Sequence, residues 1–342
     1  MIRHVRQGSG RAGARAWALA LGALALGAVL VAGDAWAQAR DKVSFRMAWI
    51  LYGQTPSYYY GKEKGFFLEE GIDLTILEGQ GSATTVKLVA AGTDTFGSAD
   101  YGTMAKGIAQ GIPVKGIFGI LQTHPMGVAT SQELGVRRPQ DLVGKSVAVA
   151  AGGGDQQVLP AFLAANGLTG RVKVVQLSSG AAKREAILAR RVDGIVAYAN
   201  EQVPQIEAAG MKLNYLPFAE HGVRLLGMGI LANTKTLKEK PELTRRFLRG
   251  MARSLLAAQR DPEGAVGAAL KVFRERDRAV TLKELTLSFP LYHTPNTAGK
   301  PLGWMARQDW ETNQEILLKY GGQEKRLPIE DYFTNEFIAD VK

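Results

Sequence analysis

Along most of the chain, hydrophobic and polar positions recur with a period of two or of about 3.6, and Gly punctuates the joints. Residues 43–49, 72–77, 95–98 and 114–121 are short β-rich runs and predict strands. Residues 56–64, 84–91 and 104–110 carry the helical pattern and stop at Gly65, Gly92 and Gly111. After a connection at 137–144, a second set begins. It has strands at 146–150, 172–177, 194–198 and 212–217, with helices at 156–166, 181–191 and 201–209. From 236 onward the pattern is mostly helical, through 241–260, 263–275, 282–288 and 301–320. Two α/β sets and a helical tail predict an α/β protein. No solenoid period of 20–50 residues is present.

Two stretches echo each other. Residues 87–94 end on Asp94 and lead to Ser98-Ala99-Asp100, while 184–193 end on Asp193 and lead to Tyr198-Ala199-Asn200. Each reads as helix, Asp, short strand, then a small polar loop opening a further helix. In open α/β sheets ligands bind beyond the carboxyl ends of strands, where helix N-termini offer free N–H groups. One such loop per set predicts a site facing both ways across a cleft.

The first 37 residues have a different character. Arg3, His4, Arg6, Arg11 and Arg15 precede an apolar run at 17–33, Asp34 breaks it, and Ala35-Trp36-Ala37 follows. That order predicts a secretory signal cleaved after Ala37, and so export to the periplasm. Cleavage lowers the net charge from +10 to +7. In an exported protein this balance does not point to nucleic acid. The basic residues are scattered, apart from a helical row at Arg245, Arg246, Arg249 and Arg253 that reads as a solvated face or a docking surface.

The chain contains no cysteine. Disulfides, thiolate nucleophiles, cysteine-bound metals and a lipid-modified anchor cysteine are therefore excluded. The four histidines lack metal-ligand spacing, and there is no G-x-S-x-G elbow. Neither a cofactor nor a metal is expected, and the chain reads as a non-enzyme.

Several motifs together resemble a known family. Trp49 is followed by Glu63-Lys64-Gly65, Phe67, Gly71-Ile72-Asp73, Gly81-Ser82, Gly92 and Asp94. The likeness continues through 141–149, 192–202, 240–250, Trp310 and 314–321. This pattern resembles the solute-binding proteins of ABC importers for sulfonates, taurine, nitrate and the thiamine pyrimidine precursor. The resemblance implies a type II periplasmic-binding-protein fold of two α/β lobes joined by a two-crossing hinge, with a helical C-terminal region. Lobe 1 would comprise 41–130 plus 232–342 and lobe 2 would comprise 131–231. The crossings would lie near 129–131 and 229–232. It also implies a small-molecule ligand, a permease partner in the inner membrane and a monomer. A ligand-sensing subunit of a signalling receptor and an exported enzyme on the same fold are the alternatives.

Candidate ligand contacts come from loops at predicted strand ends. Trp49, with Tyr52 and Gln54 after it, could stack on a planar ligand or pack in the core. The resemblance favours the cleft. Members that bind the pyrimidine precursor carry Leu-Asp-Trp here, whereas this chain has Met47-Ala48-Trp49 and lacks the acid. Ser82 reads as a helix N-cap or as a hydroxyl holding an oxygen of the ligand. Ser98, Asp100 and Tyr101 follow a short strand, with Asp100 a cap or a contact. Gly153, Gly154 and Asp155 form a Gly-rich loop able to close on an anionic group, or a plain turn. Tyr198, Asn200 and Glu201 complete the set. Glu201 is either a carboxylate favoured by the helix dipole or, by the resemblance, the acceptor of a ring amino group. The expected ligand is a planar or anionic organic solute: pyrimidine-like, a sulfonate or an aromatic carboxylate.

Overall fold

The computed structural model describes Met1, residues 40–151 and residues 154–338. The expected signal segment beyond Met1, and Gly153, lie outside the described residues. In β1 (Asp41–Arg46), Val43 and Phe45 are buried while Lys42 faces out, as a half-covered strand requires. β1 pairs in parallel with β2 (Ile72–Leu77) and β3 (Phe96–Asp100), and β4 (Val114–Gly119) closes one edge of the sheet. The connecting helices are α1 (Pro56–Glu63), α2 (Phe66–Glu69), α3 (Ser82–Ala90) and α4 (Tyr101–Ala109).

The chain then builds a second sheet from β5 (Met126–Ser131), β6 (Ser146–Ala150), β7 (Lys173–Leu177), β8 (Gly194–Tyr198) and β9 (Leu213–Pro217). Its helices are α5 (Gly154–Ala165), α6 (Gly180–Leu188) and α7 (Gln202–Ala208). β10 (Met228–Asn233) returns to the first sheet. The tail is α8 (Thr234–Glu239), α9 (Pro241–Arg260), α10 (Pro262–Leu270), α11 (Arg278–Ser288) and α12 (Arg307–Lys319).

The strand orders are β2-β1-β3-β10-β4 and β7-β6-β8-β5-β9. Both sheets follow one plan: three parallel strands, then one antiparallel strand, then an edge. The sequence echo falls on matching positions, β3 and β8. Asp94 pairs with Arg46 at the end of β1, and Asp193 accepts from the Ser146 N–H at the start of β6 at 2.7 Å. Each aspartate thus ties its central strand to the neighbour.

The stretches 129–131 and 229–232, expected as hinge crossings, lie instead inside β5 and β10, each hydrogen-bonded on both sides. β5 is buried along its whole length and β10 along its centre, so neither shows the alternation that marks a half-covered strand. The chain passes between the sheets at 120–125 and 218–227. These two connectors hydrogen-bond to each other, His124 N to Leu225 O and Gly227 N to Leu121 O, each at 2.9 Å.

Aromatic packing anchors the first sheet, with the Phe96 and Phe247 rings stacked at 4.2 Å between β3 and α9. On its other face Trp310 of α12 packs among Val86, Met104 and Tyr101. Leu159, Phe162 and Phe218 fill one side of the second sheet, with Ile316 and Tyr320 from the C-terminal region packed against them. The arginine row on α9 is engaged locally. Arg246 reaches Asp41 at 2.6 Å, Arg249 reaches Glu70 at 2.6 Å, Arg253 reaches Glu69 at 2.6 Å, and Arg245 pairs with Glu242. Among the described residues no helix is long and apolar enough to cross a membrane.

Candidate functional site

The carboxyl ends of parallel strands from both sheets converge on one cavity of about 650 Å3. The first sheet contributes Trp49 after β1, Ser82 at the start of α3 and Asp100 at the end of β3. The second contributes Gly154 and Asp155 at the start of α5, and Tyr198, Asn200 and Glu201 after β8. Tyr52 joins them, so nine of the expected contacts line one space.

Three do not line it. Gln54 is buried and its Nε2 donates to the Tyr58 hydroxyl at 3.2 Å. Ser98 is buried and its Oγ accepts from Ala48 N at 3.2 Å. Tyr101 turns into the core, where its hydroxyl donates to the carbonyls of Phe118 at 2.8 Å and Ile230 at 3.1 Å. The reason is periodicity: Ser98 precedes the strand end, and Tyr101 is the first helical residue, pointing back over its own sheet.

The remaining residues take more specific roles than the sequence offers. Ser82 does not cap α3. Gly81 holds that position with φ of 113°, and Ser82 Oγ accepts from Asp100 N at 3.0 Å. Asp100 does cap α4, accepting from Thr103 N at 2.8 Å. Its second oxygen lies 3.2 Å from His124 Nε2. Burial pushes the Asp100 carboxyl up, but His124 and the Thr103 donors outweigh it and leave the group below the usual carboxylate range.

Asp155 is buried at the first turn of α5, where it accepts from Ala150 N at 2.9 Å and pairs with the buried ammonium of Lys183. Lys183 also donates to Val196 O at 2.7 Å. The sequence reading missed Lys183 and His124. Lys183 sits on the buried face of α6, where lysine is rare without a partner, and this was its available signal. His124 lies on a connector with no motif around it.

Glu201 is a second acid on the wall that carries Asp155. Burial pushes its carboxyl up to about 7, Glu284 adds to the rise, and Lys183, Arg276 and Arg184 partly offset it. Tyr52 and Tyr198 are also pushed well above the usual phenol range by burial. Among the further causes, Asp100 and Glu201 act on both rings. Trp49 is 48% exposed, a large aromatic face at the cavity that the fold leaves uncovered. Asn200 is buried, donates from Nδ2 to Ser288 Oγ at 2.9 Å, and has no partner for Oδ1. Among the described residues no cluster of His, Asp and Glu could hold a metal ion.

Comparison with known proteins follows the same lines. The riboflavin-binding protein RibY of Chloroflexus aurantiacus is 26% identical over 306 residues, covering 87% of this chain and 86% of that protein. A Legionella pneumophila protein named 4-amino-5-hydroxymethyl-2-methylpyrimidine phosphate synthase is 25% identical, covering 88% and 94%. The periplasmic aliphatic sulphonate binding protein SsuA of Escherichia coli superposes with a TM-score of 0.67 at 13% identity, covering 85% and 91%, which shows a shared periplasmic-binding fold. Residues 54–265, which include Ser82, Asp100 and the wall from Gly154 to Glu201 but not Trp49 or Tyr52, match the family described as NMT1/THI5 like, and the chain belongs to that family.

Proposed function

We propose that this chain is the periplasmic substrate-binding component of an ABC importer, taking a planar heterocycle that presents hydrogen-bond donors. The observation that carries the ligand class is the charge pattern of the cavity. Trp49, Tyr52 and Tyr198 supply aromatic faces, and Asp100, Asp155 and Glu201 supply three carboxyls. Lys183 and His124 are each already engaged with a carboxylate. Lys106 also lines the cavity, but a sulfonate or carboxylate ligand would still meet three carboxyls there, Glu201 among them, whereas a ring amine or imide finds an acceptor. A volume of about 650 Å3 lies within the range of sites for drug-sized ligands, roughly 300–1,000 Å3, and leaves room beyond a single pyrimidine ring. The name of the Chloroflexus relative fits a larger ring system of that kind.

Binding would bring the two sheets together over the ligand, with the paired connectors at 120–125 and 218–227 bending. The leader at 1–37 would be cleaved after Ala37, and the mature protein would deliver its ligand to an inner-membrane permease as a monomer. The Legionella name keeps an enzymatic reading in view. Mass spectrometry of the solute after prolonged incubation tests it, since a binding protein returns the solute unchanged.

The direct test is a thermal-shift and calorimetric screen of residues 38–342 against riboflavin, 4-amino-5-hydroxymethyl-2-methylpyrimidine, taurine and an alkanesulfonate. A true ligand at 100 times its Kd adds about 2.7 kcal/mol of stability. Stabilisation by the sulfonates alone would overturn the charge argument.

A further inference from the structure

Glu284 of α11 is fully buried yet does not line the cavity. Its Oε1 accepts from Gln205 Nε2 of α7 at 2.8 Å, and its Oε2 from Arg276 at 2.7 Å. The Gly53 N–H donates to the same carboxylate. One turn further along α11, Ser288 Oγ accepts from Asn200 at 2.9 Å. Gly53 has a left-handed φ of 49°, and a Cβ there would come within 2.7 Å of Asn200 Nδ2. Three elements therefore meet at one point: the loop after β1, the loop after β8 and α11. The first loop carries Trp49 and Tyr52, and the second carries Tyr198, Asn200 and Glu201. Gln205 is held in turn by Arg184 at 2.7 Å.

We infer that Glu284 is a positioning residue for the solute site, one buried carboxylate that fixes the spacing between the two ligand-lining loops without touching the ligand. The chemistry suits the task. A carboxylate accepts several hydrogen bonds at once, so it can hold a backbone N–H from one wall and a side-chain amide from the other. Arg276 supplies the countercharge that makes its burial tolerable. α11 packs through Leu285 with Tyr60 and Ala265 on the side of the first sheet, so the bond to Gln205 spans the two sheets. Closing the cleft and ordering the loops are then one event.

The inference rests on reading the cavity as the solute site, but its main test needs no ligand. Glu284→Gln keeps the shape while turning one acceptor into a donor that opposes Gln205, Gly53 or Arg276. Scattering of the ligand-free variant should show a larger radius of gyration, and amide exchange within 49–55 and 198–205 should quicken at least tenfold. With riboflavin as probe, dissociation should quicken about tenfold while association changes little. Gln205→Ala removes the bond from the second wall, together with the one Gln205 accepts from Arg184, and leaves the Gly53 and Arg276 bonds to Glu284 in place. It should reproduce the effects with its denaturation midpoint nearly unchanged, and it decides the matter if Glu284→Gln does not fold. Unchanged scattering and exchange in the folded variants would overturn the assignment. Failure of riboflavin to bind the parent would count against the ligand class alone.

Discussion

The Lys183 ammonium donates to the Asp155 carboxylate beside the cavity, and both side chains are almost sealed from solvent. A buried pair of this kind contributes little net stability against an apolar substitute, but removing one partner strands the other charge. Lys183→Met should therefore destabilise the fold by about 3–5 kcal/mol. Urea denaturation would show it as a lowered midpoint with an unchanged slope. Adding Asp155→Leu to that variant should recover part of the loss, and a double variant less stable than the single one would contradict this account.

Glu201 gives the site a pH dependence with a definite sign. Its carboxyl is raised from an ordinary value of 4.5 to about 7, so the folded state binds a proton that the unfolded chain releases. Its contribution to stability is present below about 4.5 and is lost as pH rises through about 7, by at most about 3 kcal/mol. Glu201→Gln should flatten that part of the stability profile.

Ligand binding should run the other way. A ligand donating to the ionised carboxylate must displace the proton, so affinity rises from pH 5 to pH 8. Calorimetry at pH 6 in buffers of different ionisation heat should detect proton release. In the same experiment at pH 8, Glu201→Gln should weaken a donor-bearing ligand by about 1.5–3 kcal/mol. Tighter binding by that variant would signal an anionic ligand instead.

Trp49→Ala should weaken binding by about 1–3 kcal/mol, the loss of an aromatic anchor. Because Trp49 is 48% exposed, the denaturation midpoint should hardly move. A variant that binds like the parent would remove Trp49 from the site.

Tyr101→Phe should do the opposite. Its hydroxyl is buried against the carbonyls of Phe118 and Ile230, so its loss should cost about 0.5–1.5 kcal/mol of stability. Affinity should be unchanged, as measured by titration of both proteins with the same solute.

What the sequence revealed and what it hid divide along physical lines. Parallel strands followed by helices leave turn signals and capping glycines, and the loops after β1, β3, β6 and β8 were legible because ligand sites in such sheets lie at those ends. β5 and β10 were not. Met126–Ser131 and Met228–Asn233 are interior antiparallel strands without periodic contrast, so nothing in their pattern speaks against the hinge crossings that the family resemblance implies there. Cavity residues that depend on long-range pairing were also hidden. Nothing near Lys183 in sequence announces that Asp155, 28 positions earlier, will meet it. Glu284 lies in a tail that reads only as helix, and its partners Gly53 and Gln205 come from distant segments.

The two connectors bear on how such a chain can be re-equipped. Because 120–125 and 218–227 run side by side, the whole of the second sheet leaves and re-enters the first at one doorway. A segment bounded by Leu121 and Gly227 could be exchanged for that of a relative without cutting β4 or β10, carrying the Tyr198–Glu201 wall with it. The graft would have to supply an apolar surface for Ile316 and Tyr320, which reach over from the C-terminal region to cover that sheet's core. A transplanted half lacking that surface would leave both residues bare, and a foreign counterpart of Gln205 would decide whether Glu284 still finds its partner.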